Sequence, residues 1–278
     1  VVILSFLLTI KAKSMTIRKN SPQLWDEIWE KPFSPAEDRF ALAKEANSIR
    51  WQRMERLVKA QFGTFDQLKV IEIGAGSGTV AALMAQRGAQ VTLLDYSDKA
   101  LVRAREFFTR NNLPADFVSQ DALALSPDLL GKFDISTSFG LVEHFRNDTR
   151  QQIVAAHLAV LRSGGWTFIS MPNKYSPPYR IFKFVAQRTN KWQFGEEYPT
   201  SHGELLRMAQ TVQAKQASVI GSSFITSFDF INPFKALAVV RNTLHLKDDF
   251  DENRLRRERG TPIDSYASYA LVLCAQKL

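Results

Sequence analysis

Apolar and polar positions alternate on two length scales along this chain. Short apolar runs at 70–73, 91–94, 115–119, 133–138, 166–170, 216–220 and 268–274 have the length and composition of strands. Longer stretches with helical spacing lie between them, at 79–86, 98–109 and 149–161. Strand and helix in turn predict a mostly parallel sheet with helices on both faces. Ahead of the first strand, Trp25, Ile28 and Trp29 share one helical face until Pro32 and Pro35 interrupt it. Ser34 then caps an amphipathic helix expected to run unbroken to residue 62. After the fifth strand the pattern changes. Tyr175, Tyr179, Phe182, Phe184, Trp192 and Phe194 crowd together with Lys174, Arg180, Lys183, Arg188 and Lys191. Thr200 or Ser201 starts a further helix, with Glu204 closing a capping box. Residues 224–246 are apolar and ambiguous, in part helical, and 247–259 read as a solvated charged run.

The punctuation of the first strand carries the chemistry. Residues 70–73 run into Gly74-Ala75-Gly76-Ser77-Gly78 and directly into a helix. Glycines let the backbone turn sharply and admit a ligand where a Cβ would stand. The helix start behind them offers unpaired N–H groups to an anion. The spacing is G-x-G-x-G, not the dinucleotide G-x-G-x-x-G, and Glu72 stands two positions ahead. Asp95 ends the second strand, where a carboxylate can accept from two vicinal hydroxyls. Tyr96 follows it, and Ser97 can cap the next helix. Arg87-Gly88 closes the first of these helices.

These residues resemble the class I S-adenosylmethionine-dependent methyltransferases. The resemblance covers about 66–171 and includes the Phe133-Asp134 pair that opens the fourth strand and the Arg162-Ser-Gly-Gly165 passage before the fifth. It implies a doubly wound, Rossmann-like α/β sheet of seven strands, order 3-2-1-4-5-7-6, with the last strand antiparallel. It implies S-adenosylmethionine as cofactor. Glu72, Gly74, Ala75, Gly76, Ser77 and Gly78 would wrap its amino-acid end, and Asp95 with Tyr96 would hold the ribose. Asp121 would take the adenine amino group beside the Ala122 amide, and Phe139 would lie near the transferable methyl. Arg50 and Trp51 sit where an N-terminal segment can touch the cofactor carboxylate. Glu143-His144 after the fourth strand resembles the ubiquinone-type members, but Gly140 stands where some of them carry a further acid. We therefore expect no metal. His144 is the first candidate for base or acceptor-orienting residue and His202 the second, with Glu143 a candidate to assist His144 or to satisfy backbone groups. His157, mid-helix, reads as packing.

Composition changes little. The chain has 278 residues, 45% hydrophobic and 23% charged, ordinary for a globular protein. Its net charge is +8, but Lys11, Lys13, Arg18 and Lys19 fall in an acid-free start, and removing those four leaves +4. That mild excess is a weak argument for nucleic acid, and the absence of an Asp/Asn-Pro-Pro-aromatic motif at 138–141 argues against nucleobase amine methylation, so no nucleic-acid partner is expected. The apolar start at 1–10 is too short to span a bilayer. We expect Met15 as the natural start, with a truncated signal or anchor as the other reading. Cys274, the single cysteine, suits a buried position in a reducing, cytoplasmic setting.

The expected organisation is an N-terminal extension (1–20) that need not be ordered, then one methyltransferase domain (21–278). Within it lie a nucleotide core (66–171), a helical lid (about 172–212) and a C-terminal part (213–278). The expected activity is methyl transfer to a small-molecule or lipid-like acceptor. The aromatic and basic lid leaves peripheral membrane contact open. The alternatives are a nicotinamide-dependent oxidoreductase and a cofactor-binding scaffold without turnover.

Overall fold

A computed structural model describes residues 20–30, 34–231 and 255–278. The expectations for the extension, for Pro32, for 232–246 and for most of the charged run lie outside the described residues. The elements in chain order are α1 (Pro22–Trp29), α2 (Pro35–Asn47), α3 (Ile49–Phe62), β1 (Lys69–Ile73), α4 (Thr79–Ala85) and β2 (Gln90–Asp95). Next come α5 (Asp98–Arg110), β3 (Asp116–Ser119), β4 (Phe133–Phe139), α6 (Asn147–Ala159) and β5 (Leu161–Pro172). The helix α7 (Pro177–Arg188) precedes α8 (His202–Thr211), β6 (Gln216–Gly221), two short helices, α9 (Phe224–Ser227) and α10 (Asp264–Ala267), and β7 (Ala270–Gln276).

One seven-stranded sheet has the order β3-β2-β1-β4-β5-β7-β6. β7 runs antiparallel to both its neighbours, and the other pairings are parallel. Both sheet faces are covered, which is why the central strands are apolar on both sides. Val70 joins one core with Met54, Leu83, Phe107, Phe108 and Phe168. Ile71 and Ile73 join the other with Ile153, Ile169, Leu205 and Leu271. Alternation along β1 thus turns Glu72 toward the Val70 face, under the glycine loop.

Two boundaries and one placement differ from the sequence reading. The expected helix 35–62 is two helices, because Ser48 is extended (ψ 145°) and its Oγ accepts from the Trp51 N–H at 3.0 Å. A capping residue inside an amphipathic stretch restarts the helix while the apolar face continues. Trp51, placed beside the cofactor by the sequence, is instead fully buried and stacked on Phe65 with ring centroids 5.7 Å apart. β5 begins at Leu161, so the glycines at 164–165 lie within a strand and do not cap a helix. A Cβ on Gly165 would fall 3.0 Å from the carbonyl oxygens of Asp134 and Arg162, so the close backbone approach needs glycine there. Cys274 is buried in β7 opposite Phe168, without a disulfide. Among the described residues no helix is long and apolar enough to cross a membrane.

Candidate active site

The glycine loop is held by the end of β2. Gly74 and Ala75 donate to the Leu94 carbonyl at 2.8 and 3.1 Å. Gly76 donates its N–H to Asp95 Oδ2 at 3.0 Å, while Oδ1 of the same carboxylate accepts from Ser97 at 2.9 Å. Asp95 therefore fixes the loop from below and keeps lone pairs free for a ligand. Burial raises its pKa against the pull of those N–H groups. Gly76 has φ +53°, and a Cβ there would fall 2.4 Å from the Trp29 ring. Glu72 Oε2 accepts from Ala81 at 2.9 Å, satisfying one of the orphan N–H groups at the start of α4. Burial pushes the Glu72 carboxyl from the ordinary 4.5 up to about 8. Burial, with the Asp95 charge behind it, also pushes the Tyr96 phenol up. Asp121 is exposed, and its Oδ1 accepts from the Leu123 N–H at 2.9 Å.

At the other end the chain leaves β4 through one tight turn, Val142–His144. His144 Nδ1 lies 2.8 Å from the Glu196 carbonyl. A carbonyl only accepts, so Nδ1 carries the proton and Nε2 keeps its lone pair. Burial is the main cause of a pKa near 4, so the ring is neutral at physiological pH. Trp25 packs edge-on against it at 4.7 Å, and Asn20 Nδ2 donates to the His144 and Glu196 carbonyls at 3.1 and 3.0 Å. Arg50 lies 4.9 Å over the Phe139 ring and pairs with Glu45, two N···O contacts of 2.5 and 3.0 Å. Burial alone would lower its pKa, but the Glu45 charge outweighs it and the guanidinium stays charged.

One cavity of about 630 Å³ joins the two ends. Glu72, Gly74, Ala75, Gly76, Ser77 and Asp95 line it, as do Tyr96, Asp121, Ala122, Phe139 and His144. Three expected site residues are not on its wall. Gly78 lies behind the loop as the N-cap of α4, where a Cβ would meet Leu93 at 2.9 Å. Glu143 is buried behind His144. His202 is the clear correction. At the start of α8 its Nδ1 meets the Ser265 carbonyl at 3.1 Å and its ring stacks on Tyr266 at 4.7 Å, so it packs the C-terminal part. His157 packs, as expected, with its Nδ1 on the Ile153 carbonyl at 2.8 Å.

The sequence reading missed Trp25, Trp29, Glu45 and Tyr269, which also line the cavity. The i, i+4 tryptophans signalled a buried helix face but not what it covers. Among the described residues, Glu143, His144 and Glu197 bring ligand-capable atoms within 4.8 Å of one another. Glu197, from beyond α7, thus puts a second acid beside Glu143 and His144, where Gly140 offers none.

The comparisons with known proteins fit this geometry. The family model described as a methyltransferase domain matches residues 70–165. That stretch of the chain is similar to a methyltransferase domain. Ubiquinone biosynthesis O-methyltransferases from Chromobacterium violaceum and Nitrosomonas europaea are 29% and 25% identical to this chain over 159 and 224 residues. The first alignment covers 57% of this chain and 63% of the relative, the second 77% and 88%. The chain thus spans less than two-thirds of the first relative's length. The solved magnesium protoporphyrin IX methyltransferase of Synechocystis, with bound S-adenosylhomocysteine, superposes with a TM-score of 0.52 at 13% identity. That match covers 92% of this chain and 93% of the other, and at such identity it speaks for the fold alone.

Proposed function

We propose that this protein is an S-adenosylmethionine-dependent methyltransferase acting on a small-molecule or lipid-like acceptor. One observation carries the reading: Glu72, the Gly74–Gly76 turn, Asp95 and Asp121 meet in a single cavity that has His144 at its far end. The residues fit the cofactor. The volume is within the range of small-molecule sites, and the turn forms a cradle that a Cβ at Gly76 would fill. Asp95 would hold the ribose hydroxyls with its remaining lone pairs. Asp121 and the Ala122 amide would meet the adenine edge, and the Gly74–Ser77 turn with Arg50 would hold the amino-acid end.

When bound, the cofactor supplies a methyl group on a positively charged sulfur, ready for in-line displacement. The chain's part is alignment and exclusion of water. His144 Nε2 can accept the acceptor's proton, or a hydrogen bond from it, because the Glu196 carbonyl fixes the ring's tautomer. Trp25, Trp29 and Phe139 give the acceptor end an apolar, aromatic wall. Similarity to O-methyltransferases of ubiquinone biosynthesis supports a hydroxyl acceptor on an apolar or aromatic molecule.

Calorimetry with S-adenosylhomocysteine and with NAD tests the reading. We expect binding of the first alone, and Asp95→Ala should weaken it by about 1–3 kcal/mol through unpaired hydroxyls. Binding of NAD alone would return the site to an oxidoreductase.

Membrane contact is supported by the outer face of α7, where Ile181 and Phe184 are exposed beside Arg180 and Arg188. Sedimentation with phosphatidylglycerol vesicles should carry the protein down, and neutral vesicles should not. The buried free thiol of Cys274 agrees with a cytoplasmic location.

A further inference from the structure

Behind His144 a second group of charged side chains is shut away from solvent. Glu143 is 3% exposed, and its Oε2 has no hydrogen-bond partner. It shares a space with Glu197, the two acids and His144 presenting ligand-capable atoms within 4.8 Å of one another. Two carboxylates this close cannot both ionise without a cation beside them. The helix α7 supplies a cation to one of them, Glu197. Lys183 Nζ donates to the Glu197 carbonyl at 3.0 Å and approaches Glu197 Oε2 at 3.4 Å. The same oxygen accepts from the Tyr179 hydroxyl at 2.5 Å. The ammonium sits 4.9 Å over the Trp192 ring and 5.9 Å from the Tyr179 ring, an aromatic enclosure suited to a desolvated cation. A divalent ion on these acids needs oxygen contacts of roughly 2.0–2.6 Å. It would meet the ammonium on the oxygen it had to bind.

We propose that Lys183 is a positioning residue whose tethered ammonium occupies Glu197 and so keeps a divalent ion out of the Glu143–His144–Glu197 cluster. By holding Glu197 through both its carbonyl and its carboxylate, it fixes the adjoining Glu196 carbonyl, and that carbonyl orients the His144 ring. The catalytic consequence rests on the reading of His144 given above; the cation site does not.

The test is a Mn²⁺ titration of the full chain by calorimetry, without cofactor or acceptor. Wild type should bind Mn²⁺ weakly at this cluster. Lys183→Met, which keeps the stem and removes the charge, should bind one ion at least about tenfold more tightly. A second change, Glu197→Gln, should abolish that gain. In turnover assays Lys183→Met should lose kcat with the cofactor KM unchanged and recover part of it on adding Mn²⁺, whereas Lys183→Arg should stay near wild type. Wild type binding Mn²⁺ as tightly as Lys183→Met, or a folded Lys183→Met that gains no site, overturns the proposal. Should Lys183→Met not fold, wild type against Glu197→Gln decides. A tight Mn²⁺ site lost in Glu197→Gln overturns it, and weak binding in both sustains it. A wrong role for His144 would alter the turnover assays and leave the titration as it is.

Discussion

The two ends of the cavity are built in different ways. The cofactor end is made from consecutive strand ends, β1, β2 and β3, and its key contacts run between backbone and carboxylate within a few residues of each strand tip. The acceptor end is assembled from α1, the turn after β4, and the 196–198 segment that follows α7, which lie far apart in the chain. Sheet geometry positions the first end, and the glycines and acids at its strand tips complete it. The second depends on packing between separate pieces, and a change in any one of them reaches the others.

The sharpest way to break this comparison is at His144. His144→Ala should lower turnover by about 10²–10⁴ while S-adenosylhomocysteine affinity stays within a few-fold. His202→Ala, a matched control in the packed C-terminal part, should leave turnover unchanged. Equal losses from the two would remove the distinction drawn here. At the cofactor end, Gly76→Ala should weaken binding of S-adenosylhomocysteine by about 1–3 kcal/mol, because a Cβ meets Trp29 and φ is positive. Adding Trp29→Ala should relieve the clash and restore part of the loss, which places α1 over the loop in solution. If the double variant binds no better, the strain lies in the backbone alone.

The smallest effect concerns Glu72. Its folded pKa of about 8 lies above the ordinary 4.5, so the folded state keeps a proton that the unfolded chain gives up. Its contribution to stability is fully present below pH 4.5 and is lost as pH rises to about 8. Melting temperatures of Glu72→Gln across that window should fall less steeply than those of wild type. Parallel curves would mean that Glu72 ionises normally.

The cofactor end was legible in the sequence because its residues sit at strand ends, where spacing and direction are set by hydrogen-bonded pairing. The order of the sheet was implied by the family resemblance that those motifs carry. Boundaries failed where a short-range device competed with the periodic signal: Ser48 restarts a helix within an unbroken amphipathic face, and Gly165 admits a close backbone approach inside β5. His202 misled for another reason. A polar ring at a helix start in the lid has the composition of an acceptor site, and only its stacking on Tyr266, 64 residues later, shows that it faces elsewhere.

Residue order alone determined the alternating fold, the glycine turn and the acids at the tips of the second and third strands, because each depends on neighbours along the chain and on strand pairing. Tertiary structure alone decided that Trp29 closes over Gly76, that the Glu196 carbonyl sets the tautomer of His144, and that Glu197 and Lys183 stand behind it. Those contacts join segments tens of residues apart, and their geometry comes from how helices pack on the sheet, which no local pattern encodes.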